Sequence, residues 1–258
     1  MGLILKYVAA LSYGKDSLAM LEVIHRLGLP LDRIITVEEW ATDNLRAVLP
    51  EIVKFEESAD AEIFKRYGKR VEHVRSPHTF ESLFYARMSG KSKRAGQVRG
   101  WPYRRGCWAN SFLKIEPFRK AIGKDDVQYI GIAADEPERI AHHKLRERVE
   151  MPLVQSGWTE SDCREWCKEN NLLSPVYTSF SRGGCWFCCN QPVEYMRWMR
   201  REHPDLWKLM LRWDKASPVR FKEHYTIQML EDRFALEDSG ALRGGRFTWK
   251  SVYSEGKP

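Results

Sequence analysis

Residues 11–17 bring together residue types that could bind and activate a phosphate. Ser12, Gly14, Lys15, Asp16 and Ser17 follow an apolar run and precede a segment with helical spacing. A loop of this kind leaves the first N–H groups of the helix without partners and adds the positive end of the helix dipole. We therefore expect an anion to bind here, with Gly14 allowing close approach of the backbone and Lys15 adding a charge.

A second group of residues could bind a metal ion. Cys185 and Cys188 are three residues apart after two glycines, and Cys189 follows them directly. One turn with this spacing can direct two thiolates at one ion, but it also suits a redox dithiol or two buried thiols. Cys107, on a separate polar stretch, could complete a metal site. Cys189, a water or a sulfur species would then be the fourth ligand.

The elements that must position these residues read as alternating strands and helices. The apolar run at 7–11 predicts a buried strand, and further strands are predicted at 33–37, 71–74 and 127–132. Helical segments between them, one of which is predicted to stop at Gly68, imply crossovers and parallel pairing. We predict an α/β fold with a doubly wound, Rossmann-like parallel sheet and a helical, Trp-rich C-terminal part. Residues 1–150 are predicted to form the nucleotide-binding domain, and residues 151–258 a cysteine-containing, helical region packed on it.

Polar residues follow two of the predicted strands. Because ligands of open α/β sheets bind beyond the carboxyl ends of the strands, residues at these ends are candidates for nucleotide contact, although strand exits are polar by default. The acids after the second strand could orient a ribose hydroxyl or a metal, or form a solvated loop. The candidates are Val37, Asp43, Gly131, Glu136 and Arg139.

Residues 87–105 hold seven basic residues and no acid, and glycines and a proline interrupt any helix. We predict a long functional or mobile loop that binds a polyanion, which could be a nucleic acid; the alternative is a solvated basic loop. Trp101 and Tyr103 favour stacking on a base. The predicted polyanion contacts are Lys91, Lys93, Arg94, Arg99, Arg104 and Arg105.

Composition limits the class of protein. Lysine and arginine number 42 against 35 acids, a moderate positive charge that suits an anionic substrate without proving nucleic-acid binding. The apolar runs are shorter than the roughly 20 residues of a spanning helix, and no signal-peptide pattern is present, so a cytoplasmic protein without a membrane partner is expected. Its six cysteines are then ligands, catalysts or core residues rather than disulfides. Thr159 and Asp162 predict a helix that starts with a capping box, and Cys163 and Cys167, four apart on this helix, are expected in the core.

The loop resembles the S-G-G-x-D-S signature of the PP-loop ATP pyrophosphatases, with Tyr13 in place of the first glycine. Later motifs at 105–107, 113–117, 131–139, 152–153, 158–160, 175–177 and 184–188, in this order, resemble the phosphoadenosine phosphosulfate reductase family of that superfamily. This family includes phosphosulfate reductases, the ATP sulfurylase small subunit and DNA-phosphorothioation enzymes. The resemblance covers residues 6–191.

The resemblance implies that the loop holds the pyrophosphate of ATP with Mg²⁺, and that the bond between the α and β phosphates is cut. Activation of a substrate as its adenylate would serve sulfur transfer or the modification of a nucleotide or nucleic acid, with a sulfur donor protein as a partner. It also favours an iron–sulfur cluster over zinc at the cysteines. The residues implied for ATP are Ser12, Tyr13, Gly14, Lys15, Asp16 and Ser17, the last three as catalytic residues.

Two alternatives remain open: a reductase of phosphosulfate or adenylyl sulfate, and a nucleotide- or nucleic-acid-binding module without turnover. The reductases of the family carry a nucleophilic cysteine in a C-terminal motif and tend to lose the Lys-Asp pair of the loop. This chain keeps Lys15 and Asp16 and has no cysteine after Cys189. We therefore expect ATP-dependent activation, unless Cys163, Cys167 or Cys189 serves as the nucleophile.

Overall fold

The computed structural model of the protein describes residues 5–102, 106–144, 146–180 and 183–242. Its strands are β1 (Tyr7–Leu11), β2 (Arg33–Glu38), β3 (Trp40–Thr42), β4 (Leu45–Arg46), β5 (Val71–Arg75), β6 (Val127–Tyr129) and β7 (Val149–Glu150). Its α-helices are α1 (Lys15–Arg26), α2 (Pro50–Tyr67), α3 (Phe80–Tyr85), α4 (Trp108–Asn110), α5 (Glu116–Ala121), α6 (Pro137–Lys144), α7 (Pro152–Ser156), α8 (Glu160–Glu169), α9 (Val176–Ser179), α10 (Val193–Glu202), α11 (Pro204–Ala216) and α12 (Ile227–Asp238).

Five strands form one parallel sheet in the order β5-β2-β1-β6-β7. The chain winds from β1 outward to β2 and β5, and then returns to the other side of β1 with β6 and β7. The direction of winding therefore reverses between β1 and β6, and such a switch point is where α/β sheets bind ligands. The predicted α/β class with a parallel sheet is confirmed.

Local sequence signals account for the first elements. β1 has the predicted bounds, and its residues Val8, Ala9 and Leu11 are buried. α1 buries eight of its twelve residues, among them Leu18, Met20 and Ile24. α2 starts with Pro50 in its first turn and ends at Gly68, whose φ of 64° is the left-handed conformation that glycine favours at helix ends. The predicted stop at Gly68 is confirmed.

Several short elements were not predicted. β3 and β4 pair as an antiparallel hairpin. β7 is a further strand at one edge of the main sheet, where it pairs with β6. β6 ends at Tyr129 rather than at residue 132, although the Ile130 N–H still donates to the Glu150 carbonyl at 3.0 Å. Strands of two or three residues are too short for a period in hydrophobicity, which is why the sequence did not indicate them.

The chain divides into two compact units. Unit 1 comprises residues 1–80 and 109–186, and unit 2 comprises residues 81–108 and 187–258. Each unit is therefore made of two chain segments. This division differs from the one into residues 1–150 and 151–258, which remains a prediction about domains.

The core of unit 1 surrounds α1. Cys163 and Cys167, on one face of α8, are fully buried in this core with Trp166 and Leu172. The expectation that both thiols are core residues is confirmed. Burial raises the pKa of both thiols, that of Cys167 to about 12.

Unit 2 contains an aromatic cluster. Trp101 is 1% exposed, and its ring packs edge-on against Phe84, Trp213 and Phe221. Its indole N–H donates to Asp214 at 2.9 Å. The prediction that Trp101 stacks on a base is wrong, because the ring is already buried in the core; Tyr103 lies outside the described residues.

The basic segment is more ordered than predicted. Met88 and Gln97 hydrogen-bond through their backbones at 2.9 Å, and the Gly96 N–H donates to the Met88 carbonyl at 3.1 Å. Arg87 and Val98 form an antiparallel bridge. Residues 87–98 are therefore a hairpin-like turn, which is called the basic hairpin below.

Within the described ranges, no helix has the length and apolar character needed to cross a membrane.

The ion pair between Arg200 of α10 and Glu231 of α12 predicts a pH dependence of stability. Two guanidinium nitrogens of Arg200 lie 2.8 and 3.0 Å from the Glu231 oxygens, and this lowers the Glu231 pKa from its ordinary value of 4.5. A carboxyl with a depressed folded pKa contributes stability above its unfolded pKa and loses it as pH falls through the folded value. Wild type should therefore lose more Tm than Glu231→Gln between about pH 6 and about pH 3.

The matched control is Glu223→Gln, at a glutamate of unit 2 whose side chain is 87% exposed. Thermal unfolding across the pH series should give this control the wild-type slope. Equal slopes for wild type and Glu231→Gln would contradict the prediction.

Candidate functional site

The loop between β1 and α1 lies at the switch point of the sheet. Gly14 precedes α1 with φ −74° and ψ 154°, and no side chain from this position caps the helix. The start of α1 therefore combines the positive end of the helix dipole with amides that its own loop does not cap. This local geometry agrees with the anion site expected from the sequence.

The hydroxyl of Tyr177, in α9, lies beside this helix end. The backbone of Lys15 hydrogen-bonds this hydroxyl, and a Cβ added to Gly14 would lie 3.5 Å from its oxygen. Burial raises the pKa of Tyr177, and the bond to Lys15 opposes this rise. A phosphate bound at the helix end would thus have a phenol within reach, a residue to which the sequence assigned no role.

Ser12 and Ser17 fasten the two sides of the loop together. The Ser17 hydroxyl accepts the Ser12 N–H at 3.2 Å, lies 3.1 Å from the Ser12 hydroxyl and donates to the Gly14 carbonyl at 3.0 Å. Ser17 is buried. In this arrangement Ser17 holds the shape of the loop, and its predicted contact with a phosphate remains a prediction.

Lys15 is the buried cation of the site. Its side chain is 10% exposed, and Nζ donates to Asp16 at 2.7 Å and to Glu160 at 3.0 Å. Burial alone lowers the pKa of Lys15, but the hydrogen bonds to the two carboxylates outweigh it, and the pKa is raised. Burial also raises the pKa of Asp16, while Lys15 opposes that rise. The ammonium is therefore held charged beside the helix end.

Three carboxylates converge at this point. Asp16, Glu136 and Glu160 each offer an oxygen within 4.8 Å of the other two. Glu136 also accepts the Ala133 N–H at 3.1 Å, beyond the carboxyl end of β6. Oxygen donors are what Mg²⁺ prefers, so the donor set suits the Mg²⁺ that accompanies ATP.

Glu160 reaches this group because of how α8 starts. Thr159 caps the helix in a reciprocal capping box with Asp162, as predicted, and the Glu160 N–H donates to Asp135 at 2.9 Å. The backbone around Glu160 is therefore held by hydrogen bonds that involve Thr159, Asp162 and Asp135. The sequence motif included Glu160 but did not indicate that it meets Lys15.

Gly131 and Arg139 complete the surroundings. A Cβ at Gly131 would lie 2.9 Å from backbone atoms of Asp16 and Ser17, so only glycine lets the end of β6 approach the first turn of α1. Arg139 donates to Glu136 at 2.5 and 2.7 Å. Gly131, Glu136 and the loop thus lie together, and nucleotide contacts of Gly131, Glu136 and Arg139 remain predictions.

Tyr13 adopts a conformation that glycine would normally provide. Its φ is +53°, in the left-handed region, and its side chain is buried in unit 1. The hydroxyl donates to Asp60 at 2.6 Å and lies 3.4 Å from His73. Burial and Asp60 both raise the pKa of Tyr13. The replacement of the signature glycine is therefore accommodated by an anchored side chain.

The carboxyl end of β2 differs in part from expectation. Val37 pairs with Val74 within the sheet, and Asp43 is exposed in the turn between β3 and β4. Asp43 is not a member of the carboxylate group around Lys15. Glu38, one residue beyond Val37, instead contacts His73 at 3.0 Å. Nucleotide contacts of Val37 and Asp43 remain predictions.

In unit 2, Cys188 receives hydrogen bonds. The Asn190 N–H lies 3.4 Å from the Cys188 sulfur, and the thiol of Cys189 bonds to Cys188. This bond, burial and the nearby Cys107 raise the pKa of Cys189. Because metal ligands must be thiolates, Cys188 is better suited than Cys189 to bind an ion.

In unit 1, Cys185 lies in a polar environment. Its sulfur is 3.1 Å from a Glu39 oxygen, and Lys114 is 3.3 Å from the other oxygen of Glu39. The next residue, Trp186, is anchored by its backbone N–H on Ala47 at 2.9 Å. The proposed grouping of Cys107, Cys185, Cys188 and Cys189 at one metal stays a prediction.

The predicted polyanion contacts in residues 87–105 differ in exposure and in the bonds they already make. Lys91 and Lys93 are exposed, and Arg94 donates to the Arg99 carbonyl at 2.9 Å. The Arg99 guanidinium lies 5.3 Å from the Trp108 ring, and burial lowers its pKa. Arg104 and Arg105 lie outside the described residues.

No model of a known protein family and no curated protein sequence matches this chain.

The anchor at Tyr13 predicts a stability effect. Tyr13→Phe removes the bond to Asp60 and should cost about 1.5–3 kcal/mol, the range for hydrogen bonds to charged groups. Tyr7→Phe is the control, because Tyr7 stacks on Tyr129 but has no hydroxyl partner among the described residues. Urea unfolding of both variants measures the difference, and equal midpoints would show that the Asp60 bond contributes nothing.

Proposed function

We propose that this chain is a PP-loop ATP pyrophosphatase that transfers AMP to an oxygen of an acceptor. The observation that carries the proposal is the buried Lys15 at the start of α1, between a loop at the switch point and two carboxylates. A phosphate-binding loop of this kind, together with acids that suit Mg²⁺, favours nucleotide chemistry. Membership of the PP-loop superfamily is part of this proposal. So is the combination of a Rossmann-like sheet with a Trp-rich, helical C-terminal part.

The proposed reaction has two steps. First, an acceptor oxygen forms a bond to the α-phosphorus of ATP while the bond from that phosphorus to the bridging oxygen of pyrophosphate breaks, and pyrophosphate leaves with the electron pair. Second, a nucleophile such as a sulfur species forms a bond to the activated acceptor. The bond from the acceptor to its former oxygen breaks, and AMP leaves with that oxygen and the electron pair. Both leaving groups carry negative charge, so stabilising this charge is the main task of the site.

Residues of the loop can perform that task. An ammonium has three N–H donors, and Lys15 directs two of them at Asp16 and Glu160, which leaves one for a phosphate oxygen. The start of α1 adds its dipole, and the Tyr177 hydroxyl is a further hydrogen-bonding group at the same end. Asp16, Glu136 and Glu160 would hold Mg²⁺, which neutralises charge on the phosphates.

The reductase alternative is less well supported. The thiols that could replace a C-terminal nucleophile are Cys163, Cys167 and Cys189, which are 0%, 0% and 4% exposed. Burial contributes to a raised pKa at each of them. A nucleophilic cysteine needs a reachable thiolate, so these three do not suit attack on a sulfonate.

Lys15→Ala tests the proposal. With Mg²⁺, ATP, an acceptor and a nucleophile that displaces AMP from the activated acceptor, wild type should release pyrophosphate and AMP in equal amounts. Loss of the phosphate-facing charge should lower turnover roughly 10²- to 10³-fold, as for removal of one stabilising donor at an anionic transition state. Lys54→Ala, at an exposed lysine of α2, should keep the wild-type rate.

Products identify the bond that is cut. ADP and inorganic phosphate would contradict cleavage between the α and β phosphates. ATP binding without any product, across a panel of acceptors, would favour a module that binds nucleotide without turnover.

We also propose, from the order of the motifs, that Cys107, Cys185 and Cys188 hold one iron–sulfur cluster. The hydrogen bonds that Cys188 receives from Asn190 and Cys189 suit a thiolate ligand, and they suit zinc equally. A sulfur donor protein is the partner that such a site implies.

Protein prepared without oxygen should absorb broadly in the visible, and Cys185→Ser should abolish this absorbance together with most of the bound iron. Cys163→Ser is the control, because Cys163 is a core thiol of unit 1. Stoichiometric zinc in a colourless protein would identify the other metal. A folded wild-type protein without any metal would contradict the site.

A further inference from the structure

Unit 2 contains a cavity of about 630 Å³ to which the proposed ATP chemistry assigns no role. Its lining comprises Arg94 of the basic hairpin, Pro102 and Cys189, and a second wall formed by the consecutive residues 218–225. Cavities of about 300–1,000 Å³ are typical of small-molecule sites. The cavity is therefore large enough for a ligand the size of a nucleotide.

Backbone and side-chain bonds hold the second wall in place. The Ser217 hydroxyl donates to the Val219 carbonyl at 2.7 Å and accepts the Val219 N–H at 3.1 Å. Farther along, Lys222 and Tyr225 form an antiparallel bridge, with the Lys222 N–H donating to the Tyr225 carbonyl at 3.0 Å. The wall is thus a fixed surface rather than a loose segment.

The lining has two chemical characters. Arg94, Arg220 and Lys222 supply positive charge, and Glu223 is the one carboxylate among the lining residues. Arg220 is exposed. Pro218, Val219 and the ring of Tyr225 supply flat or apolar surface. A ligand that matches both characters carries an anionic group next to a flat ring.

We propose that this cavity binds one nucleotide of a single-stranded nucleic acid. Its phosphate would pair with Arg94 and Arg220, and its base would lie against Pro218, Val219 and Tyr225. A strand, rather than a free nucleotide, is favoured because the exposed Lys91 and Lys93 of the same hairpin continue the positive charge for flanking phosphates. Positive grooves with surfaces for base stacking are how proteins bind single strands.

This inference rests on the proposed function in one respect only, namely that a nucleic acid would be the class of acceptor that the ATP chemistry activates. The binding site itself lies within unit 2 and needs no ATP. Binding is therefore measured without ATP or Mg²⁺, so that a failure of this inference and a failure of the ATP chemistry give separate results.

The first experiment measures fluorescence anisotropy of a labelled single-stranded oligonucleotide of about 12 nucleotides, within the site sizes of such proteins. Arg220→Gln should weaken binding and reduce the slope of log K against log salt by about 0.7, the value for one lost phosphate contact. Arg201→Gln removes the same charge from α10 of unit 2, at a residue that does not line the cavity, and should leave the slope unchanged.

The second experiment separates the cavity from a merely basic surface. Val219→Trp fills the cavity without changing the charge, so it should weaken binding about 5- to 150-fold, the range expected for loss of one stacked base, with an unchanged salt slope. Glu223→Lys, at a side chain that is 87% exposed, should tighten binding and steepen the slope. If Val219→Trp fails to fold in a thermal-unfolding check, Glu223→Lys and Arg220→Gln still test whether charge at the cavity lining contributes to binding.

Three results would overturn the inference: no binding by wild type, wild-type affinity in a folded Val219→Trp, or wild-type affinity in both Arg220→Gln and Glu223→Lys. Competition with free AMP distinguishes the two sources of a nucleotide. Displacement of the strand by AMP at a concentration near the strand's own Kd would assign the cavity to free nucleotides instead.

Discussion

The burial of the Lys15 ammonium is the constraint on which the site depends. An unpaired ion in a protein interior costs several kcal/mol, so Lys15 requires carboxylates at hydrogen-bonding distance. Asp16 is its neighbour in sequence, whereas Glu160 is supplied by α8 from far along the chain. The capping box at the start of α8 and the packing of its cysteines beside α1 therefore both help to hold a charged lysine at the start of α1.

The left-handed turn at Tyr13 is a second constraint on the same loop. A left-handed conformation costs a residue other than glycine roughly 1–2 kcal/mol. The bond between the Tyr13 hydroxyl and Asp60 offsets this cost and links the loop to α2, and His73 extends the link to β5. The loop is thus fixed from two sides, by Lys15 through α8 and by Tyr13 through α2.

The two units carry different chemistry. In unit 1, the switch point brings together the loop, the carboxylates and Gly131, which suits ATP. In unit 2, the aromatic cluster around Trp101 holds a scaffold from which the basic hairpin and the cavity present positive charge. The ATP chemistry proposed for unit 1 and the strand binding proposed for unit 2 would use these two surfaces separately.

The sequence by itself determined the local features: the β1 strand, the loop that opens α1, the stop at Gly68, the capping box at Thr159 and the buried face of Cys163 and Cys167. Each depends on residues within a few positions, which hydrophobic period and capping chemistry describe. Only the tertiary structure decided that Glu160 meets Lys15, that Asp60 anchors Tyr13 and that Trp101 is core rather than a stacking surface. These pairings join residues far apart in the chain, and a local pattern holds no information about which distant partner an element will meet.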